Sequence, residues 1–155
     1  MMQSCNSRIL VKISGDLSNN DEVLEKINDL AEINRVWLIS GFGTDYSEAL
    51  DATGISYRFI DGVRHLKKSQ EQSGLIIGLQ LQEKKKTYLA DRLPAVEGFW
   101  DCIVPSENGQ ELRNTNADNL VLKYGHEFDK VLIYTKHGRD KSKFAKMRNA
   151  KVKYV

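Results

Sequence analysis

The most constraining feature of this chain is a strand, loop, helix unit that occurs twice in its first third. Arg8 to Ile13 (RILVKI) is a short apolar, β-branched run closed by Ser14-Gly15-Asp16. The stretch Asp21 to Ile33 after it carries Val23, Leu24, Ile27, Leu30 and Ala31 at helical spacing. Val36 to Ser40 (VWLIS) then repeats the strand pattern, breaks at Gly41-Phe42-Gly43, and leads into a helix over Tyr46 to Ala52 that Gly54 can end. Such alternation predicts an α/β fold, a three-layer sandwich with a mainly parallel central sheet covered by helices. Right-handed crossovers place both glycine loops at the carboxyl edge of the strands, where ligands bind in open sheets.

The rest of the chain reads less evenly. Ile55 to Ile60 is expected to form a third strand. Leu66 to Leu93 favours helix, although Gly74 and Gly78 argue against one long helix. Asp101 to Val104 resumes a strand, and Glu107-Asn108-Gly109-Gln110 carries an Asn-Gly turn that predicts a β-hairpin. Asn116 to Tyr124 reads as helix ending at Gly125, Lys130 to Thr135 as a strand, and Val152 to Val155 as a final edge strand. The 155 residues fit a single domain spanning 1–155.

Composition narrows the function classes. With 41% hydrophobic and 28% charged residues and a formal charge of +2, bulk charge implies neither nucleic acid nor membrane. Basic residues gather late, from Lys136 through Arg139, Lys141, Lys143, Lys146, Arg148, Lys151 and Lys153, and are expected to form a solvated tail. Cys5 and Cys102 show no CxxC spacing, so neither a disulfide framework nor a zinc site is expected. No run approaches the roughly 18 apolar residues of a membrane helix, and the start lacks a secretory pattern, so a cytoplasmic location is expected.

Chemistry concentrates at the loops. Lys12-Ile13-Ser14-Gly15 combines an ammonium with a small turn whose backbone N–H groups can approach phosphate oxygens, although a structural turn would look the same. Ser40-Gly41-Phe42-Gly43-Thr44 offers the same physics at the same edge. Neither a Walker ending nor a dinucleotide fingerprint is present, since Tyr46 stands where the latter needs glycine. Arg64 is either an anion-gripping guanidinium or a surface arginine, while Asn114, Asn116 and Asp118 suit a helix amino end as well as a site. His65, His126 and His137 lack ligand or triad spacing, and no metal ligand set is predicted.

The succession VKISGD, VWLISGFGTDYSEAL, GISYRFIDGVR, ENGQELRNTNADN and VLIYTKHGRD resembles the amino acid kinase family, in its acetylglutamate kinase and uridylate kinase branches. The resemblance implies a shortened carbamate kinase-like fold, because family members continue past the last of these segments into a second catalytic lysine and a glycine-rich lid. It implies an ATP-dependent phosphotransferase using Mg2+ on a small carboxylate or phosphate acceptor. Lys12 and Asp118 would be catalytic, Ser14, Gly15, Gly41 and Gly43 would bind phosphate, and Arg64 and Asn114 would hold the acceptor. Thr135, Lys136, Gly138 and Asp140 would lie along the nucleotide. Phe42, standing where the family has glycine, supports an alternative: a catalytically degenerate member that binds a nucleotide or anion, or serves as an interaction subunit. Implied partners are a nucleotide, a small anionic substrate and further copies of the chain in a homo-oligomer, with no nucleic acid or membrane.

Overall fold

The structure, a computed structural model, describes residues 6–155; the expectations for Cys5 and the amino-terminal start lie outside them. Five strands form a parallel sheet in the order β5-β2-β1-β8-β9. They are β1 (Arg8–Ile13), β2 (Arg35–Ser40), β5 (Gly98–Phe99), β8 (Lys130–Thr135) and β9 (Ala150–Tyr154). The continuous apolar run of β1 follows from its central place, since a parallel strand is covered on both faces. Ile9, Val11 and Ile13 point into one core, with Val36 and Leu38 of β2 and the buried face of α1 (Asp21–Ile33). Leu10 points into the other, with Ile39, Ile133, and residues of α2 (Gly43–Ala52) and α4 (Ala117–Tyr124). Lys12 shares the Leu10 face by strand alternation. The mainly parallel α/β sheet is therefore as expected.

The expected third strand leaves this sheet. β3 (Tyr57–Ile60) pairs antiparallel with β4 (Val63–Leu66) as a separate hairpin. Its turn, Asp61-Gly62, has φ of 50° and 78°, the doubly left-handed pair that Asp-Gly accommodates in a tight hairpin. The main sheet instead gains the two-residue strand β5 on the outside of β2.

The middle of the chain corrects a second expectation. Residues Glu71–Arg92 form one helix, α3, of 22 residues, with Gly74 and Gly78 inside it and buried. A Cβ at Gly74 would stand 2.7 Å from Leu66 Cδ1, and one at Gly78 would stand 2.5 Å from Ile103 Cδ1 and 2.7 Å from the Tyr46 ring. These glycines admit close neighbours, and that packing outweighs the roughly 1 kcal/mol that glycine costs within a helix. Two further α3 side chains act as substitute strands. Gln82 donates to Ile103 O and accepts from the N–H groups of Cys102 and Ile103, while Gln72 exchanges two bonds with Leu112. These amides hold the antiparallel hairpin of β6 (Ile103–Pro105) and β7 (Leu112–Asn114), whose predicted Asn-Gly turn is present with Gly109 at φ 71°. The final strand β9 begins at Ala150, earlier than the spacing predicts, and runs parallel to β8. Among the described residues, no helix is long and apolar enough to cross a membrane.

Candidate functional site

A cleft of about 250 Å³ opens at the carboxyl edge of the sheet. The loops after β1 and β2 meet there. Gly41 N–H donates to Ile13 O at 3.0 Å and Ser14 N–H to Tyr134 O at 3.1 Å. A Cβ at Gly15 would lie 2.5 Å from the backbone oxygen of Gly41, so glycine is required by the approach of two main chains. Gly43 opens α2, and Ser14, Gly15, Gly41 and Gly43 all border the cleft. Phe42 borders it too, but its ring is 92% buried in the core and tilts against Tyr46 with centroids 5.7 Å apart. It therefore does not fill the opening.

On the floor, Asp118 collects three ammonium groups. Lys12 Nζ lies 3.2 Å from Asp118 Oδ1, while Lys141 and Lys143 each place Nζ 2.9 Å from Oδ2. Oδ1 takes no well-angled hydrogen bond, so its contact with Lys12 is Coulombic. Burial opposes the charge on Asp118, but Lys12 and the two hydrogen-bonded lysines outweigh it and hold the carboxyl well below the usual carboxylate range. Burial pushes Lys12 below the ordinary lysine value; Asp118 resists that shift and Lys141 adds to it. Asn116 caps α4 by accepting from the N–H groups of Asp118 and Asn119, which sets Asp118 in the first turn. Capping and site roles thus coexist here.

Arg64 comes from β4 on the opposite wall. Its Nη2 donates to Gly43 O at 3.0 Å and Ser47 Oγ at 2.9 Å. The guanidinium lies 4.6 to 4.8 Å from the ring centres of Tyr46, Tyr57 and Phe59. Its Nη1 is buried without a hydrogen-bond partner. Asn114, at the end of β7, also lines the cleft, and Asn116 Nδ2 bonds Gly62 O at 3.0 Å to tie the β3–β4 turn to α4.

The segment after β8 behaves differently from expectation. Thr135 is fully buried and accepts from Ser14 Oγ; Lys136 pairs with Asp16 at 3.6 Å; Gly138 makes a turn at φ 89°; Asp140 accepts from Ser142 N–H. None of these four borders the cleft, whereas their neighbours Arg139 and Lys141 do. Arg139 also reaches Asp16 at 2.7 Å. Lys141 is therefore not part of a solvated tail, and Lys143, though 42% exposed, turns back onto Asp118. The signal for this was Phe144, an aromatic residue within a basic run, which is 98% buried and anchors the turn that carries both lysines back. Tyr46, Cys102 and Lys85 were also missed. Tyr46 and Cys102 line the cleft. Lys85 reaches from α3 to Gly15 O at 3.2 Å and Ser18 Oγ at 2.9 Å, fixing the first glycine loop from behind.

No family model and no curated protein matches this chain. Among solved structures, it is similar to N-acetylglutamate synthase from Neisseria gonorrhoeae complexed with coenzyme A and N-acetyl-glutamate, at 12% identity and a TM-score of 0.68, covering 87% of this chain and 43% of that one. The same enzyme complexed with coenzyme A and L-arginine matches at 13% identity and a TM-score of 0.52, covering 83% of this chain and 43% of that one. The chain thus spans less than half the length of these structures. At such identities the likeness shows a shared fold.

These findings overturn the amino acid kinase expectation. The similar structures are described as a synthase holding coenzyme A and not as kinases, so the shortened kinase fold, the ATP-dependent phosphotransfer and the degenerate-kinase alternative are withdrawn. The expectation of ATP and Mg2+ goes with them: coenzyme A is the cofactor named in both, and no group of three or more His, Cys, Asp or Glu suited to a metal occurs among the described residues.

Proposed function

We propose that the chain is a small-molecule-binding domain whose cleft takes a carboxylate-bearing compound of the amino acid class. The observation that carries this reading is the charge of the lining: Lys12, Arg64, Arg139 and Lys141 face it, against the single carboxylate of Asp118. A cleft with surplus cations and partly apolar walls of Tyr46 and Phe59 favours a small organic acid. Asp118 keeps Lys12 and Lys141 fixed side by side for one carboxylate. Arg64, oriented by Gly43 and Ser47 and held among three rings, adds a fixed positive charge to the wall for a second acidic group. Backbone at Ser14, Gly15, Gly41 and Gly43 shapes the rim, and the Asn114 amide supplies an additional polar contact. The small-molecule ligands named for the similar structures, N-acetyl-glutamate and L-arginine, support the ligand class.

The test is calorimetric titration with glutamate, N-acetyl-glutamate and arginine, alongside thermal shifts. A ligand at a hundred times its dissociation constant stabilises by about 2.7 kcal/mol. Binding that disappears in Arg64→Ala while the variant stays folded is expected. Absence of binding by all three, or binding indifferent to Arg64→Ala, ends the proposal.

A second reading is favoured by the coenzyme A named in both similar structures: a part in acetyl transfer from the thioester sulfur to an amine, releasing the free thiol of coenzyme A. Incubation of the chain with acetyl-coenzyme A and glutamate, followed by thiol titration, decides it. No thiol release above the protein-free rate removes it.

A further inference from the structure

The β3–β4 hairpin has two faces. Phe59 and Arg64 stand opposite each other and line the cleft, while Arg58 stands opposite His65 on the other side. The chain continues from β4 into Lys67 and Lys68. With Ser56, Tyr57 and Leu66, these basic residues border a groove of about 460 Å³. No residue lines both this groove and the cleft. No carboxylate borders it, and the side chains of Arg58, His65, Lys67 and Lys68 have no ion pair or hydrogen bond with the described residues.

That contrasts with the chain's other clustered cations. Asp118 pairs three lysines, and Asp16 pairs Lys136 and Arg139. Around the groove, Arg58, Lys67 and Lys68 carry positive charge with no carboxylate among the described lining residues, a local field that favours an anion. The backbone beneath is already set: Lys67 N–H donates to Ser56 O and Ser56 N–H to Gln70 Oε1, each at 3.1 Å.

We infer that this groove is a second binding site, for a small phosphorylated compound carrying several negative charges. A phosphate monoester brings nearly two charges and three acceptor oxygens, which suit an arginine fork, two ammonium groups and an imidazole donor acting together. The groove has the size of a small-molecule site. Its charge is confined to one hairpin and the two residues after it and does not extend as the stripe that a nucleic acid strand follows. The same hairpin carries Arg64 of the cleft, so groove and cleft share one structural element.

The experiment is a ¹H–¹⁵N NMR titration of the full chain with inorganic pyrophosphate at about 0.15 M salt, where exposed charges separated by more than roughly 8 Å are screened. Saturable shifts are expected at amides 56–58 and 65–68. The double variant Arg58→Ala/Lys67→Ala should bind at least about tenfold more weakly, with an unchanged melting temperature. Arg113→Ala, which removes an exposed arginine from the other hairpin, should bind as the parent does. Shifts confined to amides around Lys12 and Asp118, shifts that fail to saturate, or equal weakening by Arg113→Ala would each overturn the inference. Pyrophosphate held in the cleft would respond to Lys12→Ala and not to the hairpin variant, so this test stands apart from that of the carboxylate ligand.

Discussion

One oxygen of Asp118 lies 3.2 Å from Lys12 Nζ, and both groups are buried. Replacing the acid by Asp118→Asn leaves Lys12 charged in a poor dielectric beside Lys141. Breaking a buried pair in this way costs about 3–5 kcal/mol. Urea denaturation should show that loss, and Lys12→Met in the same chain should restore part of it. By contrast Lys143, whose side chain is 42% exposed, should contribute no more than about 1 kcal/mol in Lys143→Ala.

The same carboxylate gives an acid-side prediction. Its folded value lies below that of an unfolded aspartate, about 3.9, so the unfolded chain binds a proton first as pH falls. The stabilisation from Asp118 is therefore complete above about pH 5 and declines below about pH 4 towards the depressed folded value. Stability measured by urea between pH 6 and pH 3 should fall more steeply for the parent than for Asp118→Asn.

Gly15→Ala and Gly43→Ala separate necessity from coincidence in the two loops. At Gly15 the new methyl meets the Gly41 backbone, which cannot step aside without moving β2's exit, and a loss of about 1–3 kcal/mol is expected. At Gly43 the nearest atom is Arg64 Nη2 at 3.9 Å, and the position starts a helix, so alanine should be neutral within about 1 kcal/mol. Thermal melts of the two variants check the contrast.

Gly78→Ala sets helix propensity against packing. Propensity alone predicts a gain of about 1 kcal/mol. The added methyl instead collides with Ile103 and Tyr46, so the variant should melt at a lower temperature than the parent.

Cys102 gives a chemical probe of the cleft wall. Burial pushes its thiol up to about 12, while nearby Lys12 pulls the other way. Thiolate is the reactive form, so in a Cys5→Ser background iodoacetamide at pH 8 should label Cys102 far more slowly in the native chain than in urea.

Much of the fold was legible because local pattern and burial agree. RILVKI and KVLIYT carry unbroken apolar stretches, Ile9 to Val11 and Val131 to Tyr134, because β1 and β8 lie inside the sheet, and Asn20 supplies the cap that starts α1 by accepting from Val23 N–H. Gly74 and Gly78 misled because a glycine that breaks a helix and one that admits a neighbour look alike until the neighbour is known. The site divides in the same way. Lys12, Gly15 and Gly41 belong to the loops that alternation points to one edge of the sheet, and they line one cleft; Arg64, Asn114 and Asp118, which no local pattern places there, line it too. Thr135, Lys136, Gly138 and Asp140 do not, because the turn at Gly138 and the anchoring of Phe144 bring Arg139 and Lys141 inward. The family reading failed for a different reason: short segments in a familiar order describe an arrangement of strands and turns, and chemistry does not follow from arrangement alone.

The glutamines of α3 have a mechanical consequence. Gln72 and Gln82 are ten residues apart, about 15 Å along a helix, and together they make five hydrogen bonds to the backbone at 102–103 and 112. The β6–β7 hairpin cannot slip along the helix by one residue without breaking all five. Helix and hairpin are thereby coupled into one unit, and Asn114, opposite Ile103 at the hairpin's open end, is carried at the wall of the cleft by that same pair of glutamines.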